Sequence, residues 1–229
     1  MSGGRLTLGL GAGLARPIAR PGIDNAQTRA ALSDGVAIVR GLLGGERLTY
    51  RGQAFSVEGA KLDVAPLRAS LPILLAADVP DALALSGDIA DGLIVDGLRP
   101  AGFAAHAASI ARPKRLVHFA PCAVGTDRAA AMAVMKPVLA ALLRQHWQDT
   151  QDDPALRAAL VHHSGIPAGD FSIAVASNEP DERFFEAFTV TGDAADCRRR
   201  ADAFREAGVT DLAVTFVGPN PIHDMAFLH

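Results

Sequence analysis

Apolar and polar positions along the chain alternate between two periods, one of short buried runs and one of amphipathic stripes. Arg5 to Leu10 is a short apolar run ended by glycines, which predicts a strand. After a Pro- and Gly-containing loop from Arg16 to Gly22, the stretch Ala26 to Leu43 carries Leu32, Val36, Val39 and Leu43. These lie at i, i+4, i+7 and i+11, one face of a helix, and Gly44-Gly45 stops it. Arg47 to Val57 predicts a small hairpin turning near Gly52. Pro72 to Ala77 predicts a strand, Asp81 to Ser86 a helix, and Leu93 to Val95 and Leu116 to Val124 two more strands. Asp127 is placed to cap a long Ala-rich helix reaching about Trp147, with Pro137 expected to kink it. Residues 148–187 mix Pro, Gly, Asp and paired histidines and read as an insertion or lid-like loop with short helices. Thr191-Gly192-Asp193 then opens a helix with Cys197, Ala201 and Phe204 on one side, Gly208 stops it, and Asp211 to Phe216 is a closing strand. Strands separated by helices imply an α/β fold with parallel pairing and right-handed crossovers: five core strands plus the hairpin, in one domain spanning 1–229.

Composition narrows the function classes. The 229 residues are 49% hydrophobic with a net charge of only -3, which excludes a disordered chain. Lysine is confined to Lys61, Lys114 and Lys136, and aromatics make up 5%, so no nucleic-acid partner is expected. No run of about 18 or more apolar residues is present, so no membrane-spanning helix is expected. The segment after Arg5 faintly mimics a signal peptide, but three glycines within Leu6 to Ala15 make a poor apolar helix and a good strand-to-turn transition. Cys122 and Cys197 stand 75 positions apart without metal-ligand spacing, and read as reduced thiols of a cytoplasmic protein.

Standard catalytic motifs are absent from the sequence: no H-E-x-x-H, no G-x-S-x-G and no P-loop. His162 and His163 are adjacent, so on a helix they diverge by about 100° and suit solvated or loop positions better than a shared metal. No metal site is expected. Asp152-Asp153 before Pro154 reads as a polar helix start. Gly9-Leu10-Gly11-Ala12-Gly13 is the most suggestive local feature, yet it is not the dinucleotide fingerprint, because the third glycine comes one residue early. Glycines at the carboxyl end of a strand let the backbone approach a flat ring or a phosphate, or simply relieve a tight turn.

Taken in order, these segments resemble the bacterial luciferase-like oxidoreductases, which use flavin or the deazaflavin coenzyme F-420. Ser2-Gly3-Gly4-Arg5 running into Leu8-Gly9-Leu10-Gly11-Ala12-Gly13 is similar to that family's "SGGRxxLGLGAG" segment. Val39-Arg40-Gly41-Leu42-Leu43 leading to Leu48-Thr49-Tyr50-Arg51-Gly52-Gln53-Ala54-Phe55 resembles its "vrxLLxGexvtyxGxxf". Pro72-Ile73-Leu74-Leu75-Ala76-Ala77, Ile89-Ala90-Asp91-Gly92, and Thr191-Gly192-Asp193 through Ala207-Gly208-Val209 resemble its later motifs.

The resemblance implies a (β/α)8 barrel of the TIM type, with the cofactor at the carboxyl ends of the strands. It implies FMN or coenzyme F-420 as cofactor, a small-molecule substrate, and hydride transfer or oxygen activation as chemistry. It places Gly11, Ala12 and Gly13 in the cofactor-contacting turn, and Asp78 and Val79 in the turn after the next strand. Relatives that bind the deazaflavin often have glycines in that second turn, whereas an aspartate here opposes a phosphate. Gly192, before Asp193 at a helix start, is the sixth candidate; Asp193 could equally be a plain cap. No catalytic residue is assigned. By the resemblance the first motif is the fourth strand of eight, so three βα units of about 30 residues each have no counterpart. Three readings stand open: a late start, a natural short form that covers its edges by homo-oligomerisation, and a truncated, non-catalytic binding or assembly protein.

Overall fold

The computed structural model describes residues 3–13, 25–65, 68, 70–151, 153–218 and 225. In chain order the elements are β1 (Leu8–Gly11), α1 (Asn25–Leu43), β2 (Leu48–Arg51), β3 (Ser56–Ala60), β4 (Ile73–Ala76), α2 (Pro80–Ile89), β5 (Gly92–Val95) and α3 (Ala101–Ala111). They continue with β6 (Leu116–Val124), α4 (Arg128–Asp149), α5 (Pro154–Ser164), α6 (Ala168–Ser177), α7 (Glu182–Phe188), β7 (Val190–Gly192), α8 (Ala194–Glu206) and β8 (Asp211–Phe216). Two compact units result: Met1–Ile94 with Ile110–Lys114, and Val95–Ser109 with Arg115–His229.

In the first unit β1, β4 and β5 pair in parallel, with Leu10 beside Leu75 and Gly11 beside Ala76. Side chains alternate across such a sheet. Leu10, Ile73 and Leu75 therefore share the face that meets Val36 of α1 and Leu85 of α2, forming one apolar core with Leu32 and Val39. The expected stripe of α1 is thus the face it buries. Gly9, Gly11, Leu74, Ala76 and Ile94 lie on the opposite face, where Leu74 is buried while Gly9 and Gly11 are exposed. The hairpin β2–β3 forms as expected, with a register irregularity between Leu48 and Tyr50.

In the second unit β6 pairs in parallel with both β7 and β8. Asp127 caps α4 by accepting the Ala130 N–H at 2.9 Å, and the helix runs on through Pro137. The segment 148–187 carries α5, α6 and α7. Phe171, Phe184 and Phe185 from it, and Phe188 just after it, are all buried against Met135, Leu139 and Leu143 of α4. Trp147 stacks on Phe171 at a ring separation of 5.0 Å. Two elements were not anticipated. Helix α3 buries Phe103, Ala104, Ala107 and Ala111, and a stripe made largely of alanine is too faint to read as a pattern. Strand β7 is three residues long, below the length at which alternation can be seen.

Candidate functional site

The carboxyl ends of β1 and β4 lie side by side, because Gly11 pairs with Ala76. This brings Gly11-Ala12-Gly13 next to the turn that holds Asp78 and Val79. Gly11, Ala12 and Gly13 are all exposed, Asp78 is half-buried and Val79 is exposed. Gly11 is not in the turn, as expected from sequence, but is the last residue of β1. A Cβ on Gly11 would stand 3.1 Å from that of Ala76, and one on Gly9 would stand 2.9 Å from Ile94 Cδ1. Close strand packing leaves little room for a side chain at these two glycines. Gly13 has a different reason: its φ of 79° lies in the left-handed region, where a side chain is strained.

Helix α2 begins directly behind the second turn. Val79 is its N-cap and Pro80 its first residue, and no side chain caps it. The first-turn N–H groups of an uncapped helix favour an anion. Asp81 in that same turn carries negative charge. Arg16 and Arg20, which follow the first motif and could supply positive charge to an anion, lie outside the described residues.

Asp91 of the "ADG" segment stands at the other end of these strands. Its Oδ2 accepts the Ile73 N–H at 2.9 Å and an Arg40 N–H at 3.1 Å. Burial opposes ionisation, but the Ile73 amide and Arg40 outweigh it and hold the carboxyl below its ordinary value. The motif pins the start of β4 to the start of β5, a structural duty typical of the amino ends of barrel strands.

The sixth candidate, Gly192, belongs to the second unit, at the carboxyl end of β7. It is buried, and a Cβ there would fall 2.3 Å from that of Asp196. Asp193 caps α8, its Oδ1 accepting from the Ala195 and Asp196 amides at 2.8 and 2.9 Å. The Asp193 N–H donates in return to Asp196, which completes a capping box.

Sequence reading passed over two buried polar groups. Asp34 of α1 is 4% exposed and accepts from Tyr50 Oη at 2.8 Å and from the Ala54 and Phe55 amides at 2.7 and 2.9 Å. The Phe55 and Ala54 amides hold its carboxyl below the ordinary value. His118 of β6 packs its ring 4.5 Å from that of Phe204, with Nε2 3.1 Å from the Arg99 carbonyl oxygen. Burial pushes its pKa down to about 4, so it is a neutral imidazole inside the fold. No alternation or spacing distinguishes either residue from its neighbours.

The paired histidines sit in the last turn of α5, not in a loop. The His163 ring lies tilted 4.8 Å from that of His106 of α3 and meets that of His162 edge-on at 4.9 Å. Among the described residues, no group of three or more His, Cys, Asp or Glu is arranged to hold a metal ion. Asp153 caps α5 by accepting the Leu156 N–H at 2.9 Å.

Comparison with known proteins bears directly on the strand-end arrangement. The luciferase-like monooxygenase profile matches residues 1–211. The 5,10-methylenetetrahydromethanopterin reductase of Methanolobus tindarius is 29% identical over 235 residues, covering 96% of this chain and 71% of that protein. The solved coenzyme F-420-dependent tetrahydromethanopterin reductase of Methanopyrus kandleri superposes with a TM-score of 0.76 at 20% identity, over 99% of this chain and 72% of that one. The FMN complex of the oxygenating constituent of 3,6-diketocamphane monooxygenase from Pseudomonas putida superposes with a TM-score of 0.64 at 15% identity, over 95% and 66%. These likenesses establish the α/β fold of the luciferase-like barrels, and with a matching profile over most of its length the chain belongs to the luciferase-like monooxygenase family.

Proposed function

We propose that this chain is a flavin- or deazaflavin-dependent oxidoreductase that takes coenzyme F-420 in preference to FMN and acts on a small molecule. One observation carries the reading: in a member of this family, the exposed Gly11-Ala12-Gly13 segment and the uncapped start of α2 meet at the carboxyl ends of adjacent parallel strands. The preference for the deazaflavin is supported by the Methanopyrus kandleri enzyme, which is named for coenzyme F-420 and matches with the higher TM-score of the two structures.

The residues fit such a group. Gly11, Ala12 and Gly13 present backbone without bulky side chains, so a planar ring can lie against them. The open amides of α2 suit an anionic tail, and Asp78 and Asp81 temper that attraction. When bound, the cofactor supplies hydride transfer or, as reduced flavin, oxygen activation; the chain orients it and limits water. This division of labour accounts for the lack of a nucleophile or an acid–base pair in the sequence. In the same reading the protein works as a homo-oligomer in the cytoplasm. Cys122 and Cys197 are buried and not joined in a disulfide, which accords with a reducing compartment. Among the described residues no helix is long and apolar enough to cross a membrane.

Equilibrium dialysis of the purified full chain against coenzyme F-420 and FMN in parallel tests the proposal. Saturable micromolar binding of the deazaflavin, tighter than FMN, is expected. Tighter FMN binding would move the chain to the flavin branch, and binding of neither by a folded sample would overturn the reading.

A further inference from the structure

In the second unit, a cleft of about 220 Å³ lies among α4, α7, β7 and α8. Arg128, Arg199 and Arg200 line it, opposed by Glu186 and Asp196, with Phe185 contributing apolar surface. The three arginines are not equivalent. Arg128 is bridged to Glu182, to Glu186 at 3.0 Å and to Asp196 at 3.4 Å. Arg199 is paired with Asp196.

Arg200 has no such partner among the described residues. Its guanidinium lies 5.7 Å from the centre of the Phe204 ring, and its Nε is shut away from solvent without a hydrogen-bond acceptor. Burial lowers its pKa; Glu186 counters that effect and Arg199 reinforces it. A guanidinium offers five N–H donors in a planar fork. Shutting its Nε–H away from water without an acceptor is unfavourable, and a carboxylate set against the fork supplies two parallel charge-assisted hydrogen bonds.

The lining also limits what the cleft accepts. Glu182, Glu186 and Asp196 are paired with Arg128 and Arg199, which leaves the charge of Arg200 without a carboxylate partner among the described residues. A monoanion neutralises it, whereas a dianion is repelled by Glu186 and Asp196. At about 220 Å³ the cleft falls below the roughly 300–1,000 Å³ of pockets for drug-sized ligands, so the ligand must be compact. We propose that this cleft binds a small monocarboxylate, its carboxylate gripped by Arg200 and its apolar part lying against Phe185. This site is independent of the cofactor reading and does not use the strand-end turns.

The test is titration of the full chain, labelled with 15N, with butyrate, acetate, succinate and inorganic phosphate at constant ionic strength. Butyrate should bind saturably in the millimolar range and shift the Arg200 Nε–H resonance. Arg200→Met should weaken butyrate binding by at least about tenfold. Arg200→Lys keeps the charge without the fork; it should also bind about tenfold more weakly, and it stands in if the methionine variant does not fold. Arg205→Met, on the same helix and paired with Asp202, should bind as the parent does. The proposal is overturned if neither monocarboxylate saturates, if succinate or phosphate binds more tightly than butyrate, or if the Arg200 variants retain full affinity.

Discussion

The hairpin dock at Asp34 and the strand ends at Gly11 belong to the same compact unit, yet they use glycine and backbone amides in opposite ways. At the dock, Gly52 is required because a Cβ would fall 2.2 Å from the Asp34 carboxylate, which already takes the Ala54 and Phe55 amides. With the Tyr50 hydroxyl and these two amides on one carboxylate, the arrangement closes on itself. At the strand ends, Gly13 is required by its own φ of 79°, the segment is exposed, and no side chain caps the neighbouring helix. Glycine beside a satisfied carboxylate marks a fold contact. In the proposed reading, glycine beside open amides is where the cofactor enters.

The largest expected effect lies outside both regions, at His118 in the second unit. Its folded pKa of about 4 stands below the ordinary 6.5, so the unfolded chain binds the proton more readily. Stability is therefore full above pH 6.5 and falls as the pH drops towards 4, by about 3 kcal/mol at 1.36 kcal/mol per unit. Urea unfolding across that range should show the slope, and His118→Leu should flatten it. Next comes Asp34→Ala, which removes the acceptor of three hydrogen bonds and should lower Tm by at least about 5 °C. The Asp34 carboxylate stabilises the fold fully above its ordinary 3.8 and less as the pH falls through its lowered folded value. Calorimetry of the parent and the variant at pH 7 and pH 3 resolves the two contributions.

The open side predicts smaller effects, and on binding more than on stability. Gly13→Ala places a side chain at positive φ, costing about 1 kcal/mol, and should weaken coenzyme F-420 about tenfold in dialysis. Equal loss of affinity in Asp34→Ala would break the distinction between the two regions. Asp78→Asn should tighten the deazaflavin by about threefold at low salt, with the gain shrinking as ionic strength rises. No gain at low salt would place Asp78 away from the anionic tail.

Much of this framework was legible in the sequence because it depends on periodicity and on local stops. The Leu32, Val36, Val39 stripe, the Asp127 cap and the Gly208 stop act through near neighbours, and each stands where expected. Helix α3 escaped because alanine buries without contrast, and β7 because three residues show no period. The strand-end turns were visible as glycines, but their pairing through Gly11 and Ala76 joins positions 65 residues apart. Asp34, His118 and Arg200 escaped for a further reason. What sets them apart is the environment that folding builds around each, and nothing in the adjoining residues encodes it.

Hydrogen–deuterium exchange of the full chain, with and without saturating coenzyme F-420, tests the central claim most directly. The account predicts that the cofactor slows exchange in peptides covering 8–13 and 76–82, while those covering the hairpin at 48–60 keep their rates. Unchanged exchange at both strand-end segments, or protection confined to the hairpin, would contradict it.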